Sequence, residues 1–228
     1  RTQQRALGRE MLGAKALVLT RNAVQLALEA IQQSGKTAYV AGSMSPLEDC
    51  YEPELVPSKE ELALEHTLHA ENLALAGADL LLIETMNTAR EARAAAEAAQ
   101  ATGLPYGISY VCADDGKLLS GESLAEAVGA LAGLHPDFLG INCVPAGVLD
   151  RALVKLLAAT EMPLAVYGNI GHTNQYAAWQ QTRDYNPVDY SKVAELWQSE
   201  QIKILGGCCG TGPEHIAAIG SINAKERN

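Results

Sequence analysis

Short apolar, β-branched runs alternate along this chain with longer stretches whose apolar residues recur at i, i+3 and i+4. Runs of the first kind predict strands at Thr37–Ser43, Asp79–Glu84, Pro105–Val111, Asp137–Cys143, Met162–Asn169 and Ile202–Gly206, and the intervening stretches predict helices. Ser58–Ala76 is the longest helix: Ser58, with Glu61 three residues on, forms a capping-box pattern, and Gly77 stops it. Thr88–Ala101, Glu122–Leu134, Val148–Ala159 and Val188–Ser199 follow, and Pro213–Ile219 opens on a proline. Arg1–Ala30 also reads as helical, in two pieces, because Gly13–Thr20 interrupts it with a β-branched patch. Nearly every strand is a continuous apolar run, as expected where both faces are buried. Strands alternating with helices imply βαβ units and a parallel sheet. No linker or low-complexity tract divides the chain, so residues 1–228 read as a single α/β domain. A doubly wound open sheet and a (β/α)8 barrel both satisfy this pattern. No G-x-G-x-x-G follows an early strand, and the barrel is preferred.

Composition narrows the partners. Apolar residues make up 48% of the 228, enough for a sizeable core, while aromatics are 5% with a single Phe, so Leu, Ala, Ile and Val must fill it. Seventeen Lys and Arg against 27 Asp and Glu give a net charge of -10, which argues against nucleic acid as a partner. No apolar run approaches the roughly 18 residues of a transmembrane helix, and no signal-peptide pattern is seen. A cytoplasmic protein with no membrane partner is therefore expected. The five cysteines, Cys50, Cys112, Cys143, Cys208 and Cys209, are an odd number and read as thiols rather than a disulfide framework.

Polar and sulfur residues gather at strand ends. Glu84, Cys143 and Asn169 each end a predicted strand, and Cys208 and Cys209 lie just past the last one. Parallel α/β folds place ligands and catalysis at that rim. Singly, each has an ordinary reading: a Cys after a buried strand is commonly a small core residue, and a strand-end Glu can cap the next helix. Together they suggest chemistry. Three thiolates select zinc over magnesium or calcium and leave a fourth position open. A thiol substrate held there would stay a thiolate at neutral pH, which suits S-alkylation. Cys143 and Cys208 lie 65 positions apart, unlike the paired ligands of a zinc finger, so the tertiary fold must assemble the site.

Gly140-Ile-Asn-Cys143, followed by Gly206-Gly-Cys-Cys-Gly-Thr211-Gly-Pro-Glu-His-Ile216, resembles the homocysteine S-methyltransferase family over essentially the whole chain. Asp79–Thr85 is similar to that family's fourth-strand motif, and Ala41-Gly-Ser-Met-Ser-Pro46 to its third. The resemblance implies a TIM-type barrel in which Cys143, Cys208 and Cys209 bind Zn2+. It further implies that Glu84 holds the amino group of homocysteine, and that Asn169 matches a strand-seven asparagine that in some members approaches the metal when substrate is absent. The implied reaction is methyl transfer from a small donor to homocysteine thiolate, giving methionine. S-methylmethionine or a related sulfonium is the first choice of donor, on the similarity of Asn169–Trp179 to that subgroup, and betaine comes next. The family's Asp-Gly-Gly-type first strand, its first helix and its second strand have no counterpart here, and the chain opens on Arg1 without a Met. The expectation is thus an N-terminally truncated chain supplying strands three to eight of an eight-stranded barrel, binding zinc without turnover by itself. A non-catalytic zinc-binding remnant and a selenocysteine-linked thiol methyltransferase are the rival readings, and the oligomeric state is left open.

Other candidates read more plainly. His66 and His69, with Glu65 and Glu71 nearby, read as a solvated helix face, and His215 as a helix-surface residue. His172 falls in a long loop beside the proposed site. Tyr176, Trp179 and Tyr185 in the loop Gly171–Pro187 are either a lid or packing on the barrel. Cys50 and Cys112 are spare thiols.

Overall fold

The computed structural model describes residues 1–173, 179–181 and 185–225, with backbone alone at 147–148, 172–173, 179–181 and 223–225. Helices α1 (Gln4–Gly8) and α2 (Ala16–Ser34) lead into strand β1 (Ala41–Met44), helix α3 (Lys59–Ala76) and strand β2 (Leu80–Met86). Then come α4 (Ala89–Thr102), β3 (Tyr106–Tyr110), α5 (Leu124–Gly129), β4 (Phe138–Pro145), α6 (Ala146–Ala159) and β5 (Leu164–Asn169). The chain finishes with β6 (Gly171–Thr173), β7 (Trp179–Gln181), α7 (Pro187–Leu196), β8 (Ile202–Gly207) and α8 (Pro213–Lys225).

Six strands form one sheet in the order β1-β2-β3-β4-β5-β8, every neighbouring pair parallel. The order follows the chain without reversal. It therefore lacks the switch point of a doubly wound sheet and winds as a TIM-type barrel does. Among the described residues β1 and β8 do not pair with each other, and they form the two edges of the sheet. The main core lies between the sheet and its helices, built on Ile83, Ile108, Ile141, Val166, Leu149 and Ala95. On the opposite face of the sheet Phe138, Ala165 and Tyr167 pack with Leu80, Leu82 and Cys208. No helix is long and apolar enough to cross a membrane among the described residues.

Local signals explain most of the boundaries. Ser58 accepts from Glu61 N while the Glu61 carboxylate accepts from Ser58 N, completing the expected capping box of α3, and Gly77 at φ 93° closes the helix. Ser123 and Glu126 form a second capping box at α5, which the sequence reading passed over. That helix stops at Gly129 rather than continuing to Leu134.

Several expectations are corrected. Arg1–Ala30 is indeed broken in two, but the break is at residues 9–15, and the β-branched patch from Ala16 onward is already helical. Burial on both faces holds for β3 and β5 and nearly all of β4, whereas β1, β2 and β8 are partly exposed. β1 and β8 are the edges of the sheet, whereas β2 is an inner strand whose partly exposed residues, Leu80, Leu82 and Glu84, alternate with buried ones and so share one face. His66 and His69 are not on a solvated face: both are buried, because α3 packs against both α2 and α4. His66 Nε2 lies 3.1 Å from Glu91 Oε1, and His69 Nε2 lies 3.1 Å from the Ser43 carbonyl. His215 is half-buried, accepting from Gly212 N and standing edge-on to Tyr190. Part of the expected 171–187 loop is an antiparallel pair, β6 with β7. Tyr185 packs against the main core; Tyr176 and the His172 and Trp179 side chains lie outside the described residues.

Candidate metal centre

Cys143 occupies the C-terminal end of β4, where the register against β5 slips between Asn142 and Pro145. Its backbone sits in the left-handed region, φ 54°, a strained setting for a residue with a Cβ. Such a bulge turns a side chain off the sheet's alternation and re-aims it. Thr85, at a matching slip in β2 between Ile83 and Met86, is left-handed as well, φ 63°. Asn142 ties the two strand ends together. Its Oδ1 accepts from Thr85 N (2.8 Å) and Ser109 Oγ (2.7 Å), while its Nδ2 donates to Thr85 Oγ1 (2.8 Å). Asn142 is fully buried, so these bonds are not exchanged with water.

Cys208 and Cys209 arrive from the turn after β8. Cys208 N donates to Gly168 O (2.9 Å), and the Cys208 carbonyl accepts from Thr211 N (3.2 Å) and Thr211 Oγ1 (2.7 Å). Thr211 folds back so closely that a Cβ at Gly207 would lie 2.4 Å from its Oγ1 and 2.8 Å from its Cβ. Gly210 supplies the left-handed turn at φ 84°. The glycines flanking the Cys pair thus have separate steric and conformational reasons.

The sulfur atoms of Cys143, Cys208 and Cys209 all lie within 4.8 Å of one another, and Cys143 and Cys209 are 3.7 Å apart. A tetrahedral site with metal–sulfur bonds of about 2.3 Å places its sulfurs about 3.8 Å apart, so the spacing suits zinc. The chemistry of the donors agrees. Cys143 is held well below the ordinary thiol range by hydrogen bonds from Cys208, Cys209, Tyr51 and Asn169, acting against burial. Cys208 and Cys209 are pushed up, chiefly by the same bond to Cys143. One thiolate therefore forms readily and opposes ionisation of the other two, a repulsion that a bound dication would relieve.

Around the sulfurs, Asn169 is buried with Nδ2 4.0 Å from Cys143 Sγ, and its Oδ1 has no hydrogen-bond partner among the described residues. Glu84 lies near the C-terminal end of β2, two residues before Met86, and accepts from Ser43 Oγ at 2.5 Å. Burial raises its carboxyl, and the Ser43 and Tyr167 hydroxyls partly offset this. The Tyr167 hydroxyl also bonds Ser109 Oγ, linking the Glu84 and Asn142 networks. Cys50 is buried near Cys143, whereas Cys112 belongs to the main core.

All five expected site residues thus reach one rim. Sequence reasoning passed over Tyr51, whose hydroxyl is 3.2 Å from Cys143 Sγ, and the Asn142–Ser109–Tyr167 network. Asn142 was legible as the neighbour of Cys143 in the Asn-Cys pair; Tyr51, in an irregular loop, carried no periodic signal.

Known proteins share these features. The family model for homocysteine S-methyltransferase matches residues 2–222. Homocysteine S-methyltransferase of Escherichia coli strain K12 is 34% identical over 219 residues, covering 90% of this chain and 69% of that protein. Selenocysteine Se-methyltransferase of Brassica oleracea var. italica is 28% identical over 159 residues, covering 68% of this chain and 46% of that one. This chain therefore spans about half the length of such plant relatives. The crystal structure of the E. coli homocysteine methyltransferase MmuM in its metallated form superposes with a TM-score of 0.79 at 28% identity, covering 96% of this chain and 75% of that one. A match over nearly the whole chain, in sequence and in fold, settles its kinship: the chain belongs to the homocysteine S-methyltransferase family.

Proposed function

We propose that the protein transfers a methyl group to the thiolate of homocysteine, with Cys143, Cys208 and Cys209 as zinc ligands. The observation that carries this reading is the convergence of three sulfurs within 4.8 Å at the C-terminal rim. Bound by three thiolates with a fourth position free, zinc would keep a substrate thiol ionised at neutral pH. Glu84 accepts the substrate ammonium through a charge-assisted bond, and Ser43 and Tyr167 orient its carboxylate. Asn169, whose Oδ1 has no hydrogen-bond partner among the described residues, bounds the sulfur side of the pocket. We take the donor to be a small sulfonium such as S-methylmethionine, in keeping with the acidic chain; betaine is the next choice. The methyl carbon forms its bond to the homocysteine sulfur as its bond to the donor breaks, the electron pair staying on the donor sulfur. A selenol acceptor is a second reading, favoured by the 28% identity to the broccoli relative.

Metal analysis and calorimetry test this. One zinc per chain is expected, with homocysteine binding that disappears on chelation and returns on re-addition of zinc. Methionine formation is then followed with S-methylmethionine, betaine and methylfolate in turn. Homocysteine binding indifferent to zinc would defeat the proposal.

A further inference from the structure

The loop between β1 and α3 is held at several points along its length. Near its start, Leu47 N donates to Glu91 Oε1 (2.8 Å), which also faces His66 Nε2 (3.1 Å). In its middle, Asn87 Nδ2 donates to the Cys50 carbonyl (3.1 Å). Towards its end, Arg90 donates to Val56 O (2.6 Å) and Pro57 O (2.7 Å). Leu47 and Val56 pack beneath it with Leu62 and Ala94. Asn87, Glu91 and His66 are fully buried, so the strap is not a solvent-exchanged surface contact. What it delivers is one side chain: Tyr51, whose N donates to Asp49 Oδ1 (2.9 Å) and whose hydroxyl reaches Cys143 Sγ at 3.2 Å.

Resting on the reading of the three thiols as metal ligands, we propose that Tyr51 is a positioning residue of that centre. Its hydroxyl donates a hydrogen bond to the Cys143 thiolate and fixes the direction from which that sulfur meets the metal. A metal-bound thiolate has no proton to give, so the phenol must be the donor. Among the described residues the other polar side chain bonded to Cys143 Sγ, apart from the Cys pair, is Asn169 at 4.0 Å, much the longer contact. Bonds of this kind orient ligands and tune the metal, and losing one typically costs about 10- to 100-fold in affinity.

The test uses the full chain loaded with cobalt(II) or zinc. Tyr51→Phe keeps the ring in its packing and removes only the donor. Its zinc affinity, by competition with a chromogenic chelator, should fall about 10- to 100-fold. The sulfur-to-cobalt charge-transfer band should move to longer wavelength, because an undressed thiolate gives up its electrons more easily. Asn87→Ala frees the loop while leaving the phenol intact, and should give a smaller loss of affinity. A band and affinity equal to wild type in Tyr51→Phe overturn the proposal while leaving the zinc reading standing. A wild-type chain that takes up neither ion overturns both.

Discussion

At the residue scale, the proposed roles separate metal ligands from substrate contacts, and substitution should show the division. Cys143→Ala or Cys208→Ala should abolish zinc binding, since two sulfurs do not hold the site; metal content after dialysis reads this directly. Glu84→Ala should keep its zinc and lose homocysteine affinity by roughly 10- to 150-fold, the value of a charge-assisted bond of about 1.5–3 kcal/mol. Loss of zinc in Glu84→Ala would contradict that assignment. Away from the rim, burial pushes the His69 imidazole down to about 4. With an unfolded value near 6.5, the folded state prefers the neutral ring. Its contribution is complete above about pH 6.5 and is lost as the pH falls towards 4, up to about 3 kcal/mol. Urea unfolding at pH 7 and pH 4.5 should show wild type losing more stability than His69→Gln; equal losses would remove His69 from the account. The sequence misread this residue because i, i+3 histidines among glutamates look solvated. Nothing local reveals that a helix is flanked on both sides.

Among the elements, those with strong local chemistry were the legible ones. All six parallel strands, the Ser58–Glu61 capping box and the glycine stop at Gly77 followed from residue type and spacing. The thiol cluster was legible through the Asn-Cys and Gly-Gly-Cys-Cys patterns, since each thiol falls at or just past the end of a strand whose apolar run is easily seen. What escaped was set by tertiary contact: the strap that brings Tyr51 to Cys143, the β6–β7 pair, and the left-handed backbones of Thr85 and Cys143. The turn after β8 offers a sharp test. Gly207→Ala forces its new methyl against Thr211, whose own bond to the Cys208 carbonyl shapes the turn. Zinc affinity should fall by at least about 10-fold while unfolding in urea stays cooperative. An unaffected affinity would mean that the turn carries no constraint on the thiols.

On the scale of the whole molecule, protection runs from the centre of the sheet outward. Strands β3 and β5 are buried along their full length and β4 nearly so, whereas β1 and β8 each present partly exposed residues and an unpaired edge among the described residues. Amide hydrogen exchange should follow that order, slowest in β3–β5 and fastest in β1 and β8. Uniform protection across all six strands would show that the edges are covered in solution. The same gradient divides the thiols. Cys143 is anchored in the protected middle, locked by Asn142 and a left-handed backbone, while Cys208 and Cys209 ride the turn after an edge strand. Of the three thiols, one is placed by the interior of the sheet and two by its edge, so, in the metal-binding role proposed for them, opening of the edge would withdraw two donors together and leave the third in place.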